Sequence, residues 1–428
     1  MKVWDIEKDY DELLAFVIGG REKKRSNIRA AVEEIRRRVC GECEKALVEF
    51  SVKWDGWARP LPLKLTPEEI EEGAGRVGKR DVAILKGMIR NVRAYHKGQK
   101  GKKRTYKRNG LVVREEFVPV EKALVYVPGG TAPYPSSLVM GTVPAQLAGV
   151  KEIIVTTPAR NGEINPYILA AAALLDIKDI YRLGGAQAIY AFSYGLGSVP
   201  RVDMIVGPGN AYVEEAKRDV YGQVGIDMLA GPTELVILCT DPFSPKAVAW
   251  DMFSQAEHDE MASVGLFSNS REHIYDVLRS IEKHAVLNKR QAVVEKALKE
   301  NAFLVYYQDI DKAIRAINMI APEHMELIGD EKEEEKICYP GIIYAGPHTP
   351  VAMGDYYIGT NHILPTGGAG RFTAGLSVDR FTKRKVLVKT DKQFLDKYGE
   401  KAVRLSEVEG LFAHGESIKA RKELADEA

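Results

Sequence analysis

The feature that most constrains this chain is an alternation. From about Glu121 to Tyr344 short apolar runs take turns with helix-patterned segments. Ala123–Val127, Glu152–Thr156, Asp179–Leu183 and Met204–Val206 read as strands, and Ser137–Ala148, Pro166–Leu175, Ala186–Tyr194 and Asn210–Tyr221 as the helices between them. A second set follows, with strands at Leu235–Cys239, Val264–Phe267, Phe303–Val305, Met325–Ile328 and Ile342–Tyr344. Its helices are Ser244–Ala256, Arg271–His284, Gln291–Glu300 and Asp311–Ile320. Such alternation marks parallel, doubly wound sheets, so an α/β fold with two domains of similar construction is expected.

The flanks differ. Asp5–Ile18, Asn27–Trp54, Thr66–Val77 and Arg80–Gly98 carry helical apolar spacing. Thr66, then Pro67 and two acids, is a helix start. Arg104–Pro119 reads as a hairpin turning at Asn109–Gly110. From about Ser377 the helix-like segments Asp391–Tyr398 and His414–Ala425 are too short for their own core. They should pack on something else, a partner subunit being one candidate.

Charge is balanced, with 61 basic and 60 acidic residues in 428. That offers no electrostatic case for nucleic acid or a membrane surface as partner. The basic clusters Arg21–Arg25 and Lys97–Lys107 read as solvated faces, since no aromatics interleave them. No apolar run reaches the roughly 20 residues of a membrane span, and the N-terminus lacks a signal core. A soluble, cytoplasmic protein is expected. Four cysteines are too few for a disulfide scaffold. Cys40 and Cys43 read as two helix positions three apart, without a second pair to complete a zinc site.

Three glycine turns close predicted strands: Val127–Gly130, Gly184–Gln187 and Gly207–Asn210. Glycine lets backbone amides approach a phosphate, and the helix that follows offers its positive end. None is the full dinucleotide fingerprint, since Tyr212 stands where a third glycine would. Each alone also reads as a plain strand-to-helix turn. Together they favour a phosphate-bearing ligand.

Gln255 and His258 lie three apart at a predicted helix end and suit a borderline metal such as zinc. Two ligands do not close a site. Asp355 and His362, in the irregular stretch Gly346–Gly370, and Glu409 and His414, near the C-terminus, are further candidates. Spacing alone does not assemble them. Glu323 and His324 set a carboxylate beside an imidazole at a strand edge, the raw material of a general base. Two solvated turn residues would look the same.

Longer stretches carry a resemblance. They are YVPGGTAPYPSS from Tyr126, GGAQAIYA from Gly184, VGPGNAYV from Val206, IDMLAGPTE from Ile226, SQAEHD from Ser254, APEHMEL from Ala321 and GDYYIGTNHILPTGG from Gly354. In order and spacing the chain resembles the histidinol dehydrogenase family, from about residue 25 to His414. The resemblance implies an NAD-dependent, four-electron oxidation of L-histidinol to L-histidine through the aldehyde, the last step of histidine biosynthesis. It implies two incomplete Rossmann-like domains and a homodimer holding one Zn2+ per subunit.

The zinc ligands it implies are Gln255, His258, Asp355 and His414. NAD would meet Tyr126, Gln187 and Asn210, and the substrate Thr233, His324, His362 and Glu409 as well as the metal ligands. Glu323 and His324 would be the acid–base pair. Position 233 is Thr where the family often has Ser, and the hydroxyl is kept. The implied division is a helical arm at 1–22, a discontinuous catalytic and metal-holding domain at 23–122 and 238–376, an NAD-binding domain at 123–237, and a dimerisation tail at 377–428. That tail would cross to the partner, bringing Glu409 and His414 to the partner's site.

Three rivals define what the site must show. A sister dehydrogenase on the same scaffold would oxidise another small polar alcohol. A zinc hydrolase would use Glu323 on water but leave the three glycine turns unexplained. A non-catalytic protein would have no use for Glu323 beside His324.

Overall fold

The computed structural model describes residues 1–22, 28–129 and 132–427. Part of the basic cluster Arg21–Arg25, and Gly130 of the first glycine turn, lie outside the described residues. The described chain divides into two compact units, Met1–Gly98 with Val120–Phe381, and Gln99–Pro119 with Thr382–Ala428.

The larger unit holds two parallel sheets. In one, six strands lie in the spatial order Val3–Asp5, Phe303–Tyr306, Ser263–Ser268, Glu234–Cys239, His324–Ile328 and Ile342–Ala345. In the other, five strands lie in the order Asp179–Tyr181, Glu152–Thr156, Lys122–Tyr126, Met204–Val206 and Gly225–Ile226. Every neighbouring pair in both runs parallel.

Alternate side chains of a strand serve opposite faces. Leu235, Ile237 and Cys239 join a core with Val248, Phe253 and Ile274. Val236 and Leu238 join another with Leu13, Ile317 and Ile320. Both faces are thus covered, as the apolar runs predict. Chain order reverses between Glu234–Cys239 and His324–Ile328 in the first sheet, and between Lys122–Tyr126 and Met204–Val206 in the second. Such reversals are where open α/β sheets place ligands.

Several elements depart from the sequence reading. Val3–Asp5, of which only Asp5 fell in the expected helix Asp5–Ile18, is an edge strand on Phe303–Tyr306, burying Trp4. The first helix begins at Tyr10. The long helix expected at Asn27–Trp54 is two, Arg29–Glu42 and Glu44–Asp55, broken at Cys43, whose φ is +49°. Cys43 therefore sits between helices and not on a shared helical face with Cys40; both thiols are free.

The helices of residues 29–96 share a core with the five-stranded sheet: Val32, Leu47, Leu85 and Val92 cluster with Leu124 and Ile189. Ile363 and Leu376 belong to the same cluster. The helix Pro67–Gly75 opens as read, with Thr66 and Glu69 bonding reciprocally in a capping box.

In the smaller unit the hairpin Arg104–Arg108 and Leu111–Pro119 turns at Asn109 and Gly110, both at positive φ. The strand Thr382–Thr390, which the sequence reading passed over, pairs antiparallel with Leu111–Pro119. The tail thus packs on the chain's own hairpin. Helices Lys392–Val408 and Phe412–Glu427 follow.

Candidate active site

A cavity of about 1830 Å³ opens in the larger unit. Carboxyl ends of the five-stranded sheet line one side of it, through Tyr126, Pro208 and Asn210. Amino ends of the six-stranded sheet line another, through Thr233, Glu323 and His324. The first placement follows the usual rule for such sheets, and the second inverts it.

The chain enters the strand His324–Ile328 through Ala321, whose φ of +45° is a left-handed position seldom taken by a β-carbon residue. This turn brings Glu323 and His324 to one side, although neighbours on a strand normally point apart. Both are buried, and Glu323 Oε2 lies 3.4 Å from His324 Nδ1. The main chain of Glu234, on the adjacent strand, serves both: its amide donates to Glu323 Oε2 at 3.1 Å, and its carbonyl lies 3.1 Å from His324 Nδ1. A carbonyl has no proton to give, so Nδ1 must donate. The neutral imidazole then carries its lone pair on Nε2, which is buried and without a protein partner.

Burial opposes ionisation of both groups, but each offsets it for the other. For His324, the charge and hydrogen bond of Glu323 outweigh burial and raise the pKa to about 9. For Glu323, burial is outweighed by His324 together with the bonds from Thr233 and the Glu234 amide, and the carboxyl falls below its ordinary value. Thr233 Oγ1 lies 2.5 Å from Glu323 Oε2 and 2.8 Å from Gln255 Oε1. One hydroxyl has one proton, and the carboxylate is the stronger acceptor.

Gln255, His258 and Asp355 line the same cavity. Gln255 is buried in the last turn of Pro245–Ala256, while His258 lies beyond that helix, its amide donating to the Gln255 carbonyl at 3.1 Å. An amide oxygen, an imidazole and a carboxylate are a donor set suited to zinc. Among the described residues no group of three or more His, Cys, Asp or Glu is placed to hold a metal. Of the ligands the resemblance implies, Gln255, His258 and Asp355 lie in the larger unit. Glu409 and His414 are exposed in the smaller unit, at the end of Lys392–Val408 and within Phe412–Glu427.

His362 Nδ1 lies 3.5 Å from Asp355 Oδ1, and its Nε2 is 3.2 Å from Ser137 Oγ. Burial lowers the His362 pKa despite Asp355, favouring the neutral ring. In the sequence Ser137 opens the expected helix Ser137–Ala148, with nothing to pair it with a residue 225 positions on.

On the five-stranded side, the Gly185 amide donates to the Tyr126 hydroxyl at 3.1 Å. Burial raises the Tyr126 pKa to about 12, keeping it protonated. Gln187 is buried with Oε1 unpartnered, an orphan a ligand could satisfy. Asn210 spends its carbonyl oxygen capping the helix Ala211–Val220, leaving its NH2 for a ligand. Gly207 has φ +116°, and a β-carbon there would meet the Tyr126 carbonyl oxygen at 2.0 Å. Asp227 receives the Gly207 amide at 2.7 Å and pairs at 2.7 Å with the fully buried Lys217. This ion pair under the turn had no sequence signal beyond charge within a helix.

The sequence model of the family described as histidinol dehydrogenase matches residues 20–422. The histidinol dehydrogenase of Syntrophotalea carbinolica is 38% identical over 419 residues, covering 97% of each chain. That of Nitrosospira multiformis is 39% identical over 422 residues, covering 97% of this chain and 95% of its own. The crystal structure of histidinol dehydrogenase from Elizabethkingia anophelis superposes with a TM-score of 0.92 at 31% identity, over 99% of this chain and 98% of that one. Likeness of this extent covers nearly the whole chain, and the chain belongs to the histidinol dehydrogenase family.

Proposed function

We propose that this protein oxidises L-histidinol to L-histidine with NAD, in two hydride transfers through enzyme-bound L-histidinal. The observation that carries the reading is the free, buried Nε2 of His324, backed by Glu323, in a cavity also lined by residues of all three glycine turns. Membership of the family along nearly the whole chain supplies the substrate class.

Gln255, His258 and Asp355 would hold one zinc ion per subunit, with His414 of a second copy as fourth ligand. Zinc bound there would orient the imidazole and amine of the substrate. Tyr126, Gln187 and Asn210 would contact NAD, which accepts hydride. Thr233, His362 and Glu409 would contact the substrate. Homodimerisation through the C-terminal unit, which would bring Glu409 and His414 to a partner's cavity, belongs to the same reading, as does a cytoplasmic setting.

Within this site His324 Nε2 takes the hydroxyl proton of the alcohol as the carbon loses hydride. Its Nδ1–H stays on the Glu234 carbonyl, so the ring neither turns nor changes tautomer. Only the neutral ring can do this, and the ion pair makes that form scarce near neutrality. Glu323 next takes a proton from water as its oxygen adds to the aldehyde carbon, and His324 Nε2 returns its proton to the former carbonyl oxygen, which completes the hydrate and frees the base. Oε2 is held by Thr233, the Glu234 amide and His324, so Oε1 is the oxygen open to water. The hydrate loses its second hydride with His324 again as base, giving the carboxylate.

The test is chromatography of a reaction holding zinc-loaded protein, L-histidinol and NAD. L-histidine should accumulate with NADH, and a His324→Ala variant should make both at least about 100-fold more slowly. Neither product from the zinc-loaded protein would reject the reading.

A further inference from the structure

The first helix, Tyr10–Glu22, ends in a residue that the proposed chemistry does not use. Leu13 and Val17 of this helix pack in one core with Ile314, Ile317 and Ile320 of the helix Ile310–Ile320. That packing brings Arg21, in the last turn, to the wall of the cavity. Arg21 Nε lies 2.8 Å from Glu234 Oε1, with both side chains largely buried. Arg21 Nη1 donates to the Ile320 carbonyl at 3.0 Å. That carbonyl closes a helix C-terminus, where oxygens lack helical partners and a cation is favoured.

These two contacts fall on the two segments that hold the acid–base pair. Glu234 carries the amide and carbonyl that bind Glu323 and His324. Ile320 precedes the left-handed Ala321 that turns the chain into Glu323. The second oxygen of Glu234, Oε2, takes the Gly367 amide at 3.2 Å. Thr366, one residue earlier, accepts the Gly231 amide, two residues from Thr233. A single guanidinium thus joins the amino end of one strand to the turn entering the next. Without it a buried carboxylate would face Glu323 with no counter-charge.

We propose that Arg21, acting through Glu234, is a positioning residue for Glu323 and His324. It comes from an N-terminal helix that the sequence reading set apart as an arm. The proposal rests on the histidinol oxidation proposed above. Arg21 touches neither reacting atom, so its effect should fall on turnover and not on substrate affinity.

The test compares zinc-loaded wild type with Arg21→Ala, Arg21→Lys and the double variant Arg21→Gln/Glu234→Gln, measuring kcat and KM for L-histidinol and the melting temperature. Arg21→Ala should lower kcat about 10- to 100-fold, as small misplacements of catalytic groups do, with KM within about threefold. Arg21→Lys keeps the charge opposite Glu234 and should recover most of kcat. The double variant removes the unpaired carboxylate and should turn over faster than Arg21→Ala, which keeps the readout available should the single variant fold poorly. An active wild type with kcat unchanged in Arg21→Ala, or with the loss wholly in KM, would overturn this proposal alone. A wild type inert toward L-histidinol would overturn the underlying reading and this proposal with it.

Discussion

Glu323 and His324 are neighbours in sequence yet form a buried ion pair, Oε2 to Nδ1 at 3.4 Å. Residues on an extended strand face opposite ways, so the pair exists only because the chain bends before the strand begins. The charge of Glu323 holds the imidazole protonated up to about 9 against the pull of burial. The pair should therefore titrate as a unit.

Glu323→Gln removes that charge. The His324 ring, still buried, should then titrate well below its wild-type value, as read from its imidazole resonances by NMR in metal-free protein. In single turnover the variant should keep the first hydride transfer better than the second, with a loss of about 100-fold or more on the second. An overall rate equal to wild type would remove Glu323 from water activation.

Asp355→Ala should lose zinc and activity together, measured by elemental analysis alongside turnover. Its carboxylate also faces His362, so metal restored by excess zinc should bring back only part of the rate. Full metal content and full activity in the variant would exclude Asp355 from the ligands.

Gly207→Ala should be severe. The position has φ +116°, and the new carbon would sit 2.0 Å from the Tyr126 carbonyl oxygen. The backbone strain costs about 1–3 kcal/mol before any collision is counted. A lower melting temperature should come with a raised KM for NAD, since Tyr126 and Pro208 both line the cavity. A variant unchanged in both would show that the turn does not shape the dinucleotide side.

Asp55 gives a pH signature of stability. Burial alone raises its carboxyl to about 6, and Oδ2 has no partner. The folded state binds this proton more tightly than the unfolded one. Its stabilising contribution is therefore complete below the ordinary aspartate range and is lost as pH rises through about 6. Asp55→Asn should melt relatively higher at pH 8 than at pH 4, by about 1 kcal/mol for a partly solvated group. Equal differences at both pH values would contradict the shift.

The parallel strands were legible because burial on both faces leaves unbroken apolar runs. Glu152–Thr156 and Met204–Val206 have the bounds read from sequence. What escaped were elements set by distant partners. Val3–Asp5 is a strand only because Phe303–Tyr306 offers an edge, and Thr382–Thr390 only because Leu111–Pro119 does. Lys383, Arg384 and Lys385 leave the latter without an unbroken apolar run.

At the site, residue types offered Gln255, His258, Asp355, His362, Glu409, His414 and the Glu323–His324 pair as candidates, and resemblance assembled them and added Tyr126, Gln187, Asn210 and Thr233. Neither reached the Glu234 backbone or Arg21. The Glu234 contacts arise from strand register, which sets Leu235 beside His324, and the Arg21 contacts from the packing of Tyr10–Glu22 on Ile310–Ile320. No local pattern encodes that pairing.

The most direct test of the account is the NADH formed per L-histidinol at limiting substrate, with zinc-loaded, chelated and zinc-restored protein. Two NADH per substrate, lost on chelation and regained with zinc, is the predicted result. One NADH with release of free aldehyde, or none from the zinc-loaded protein, would contradict it.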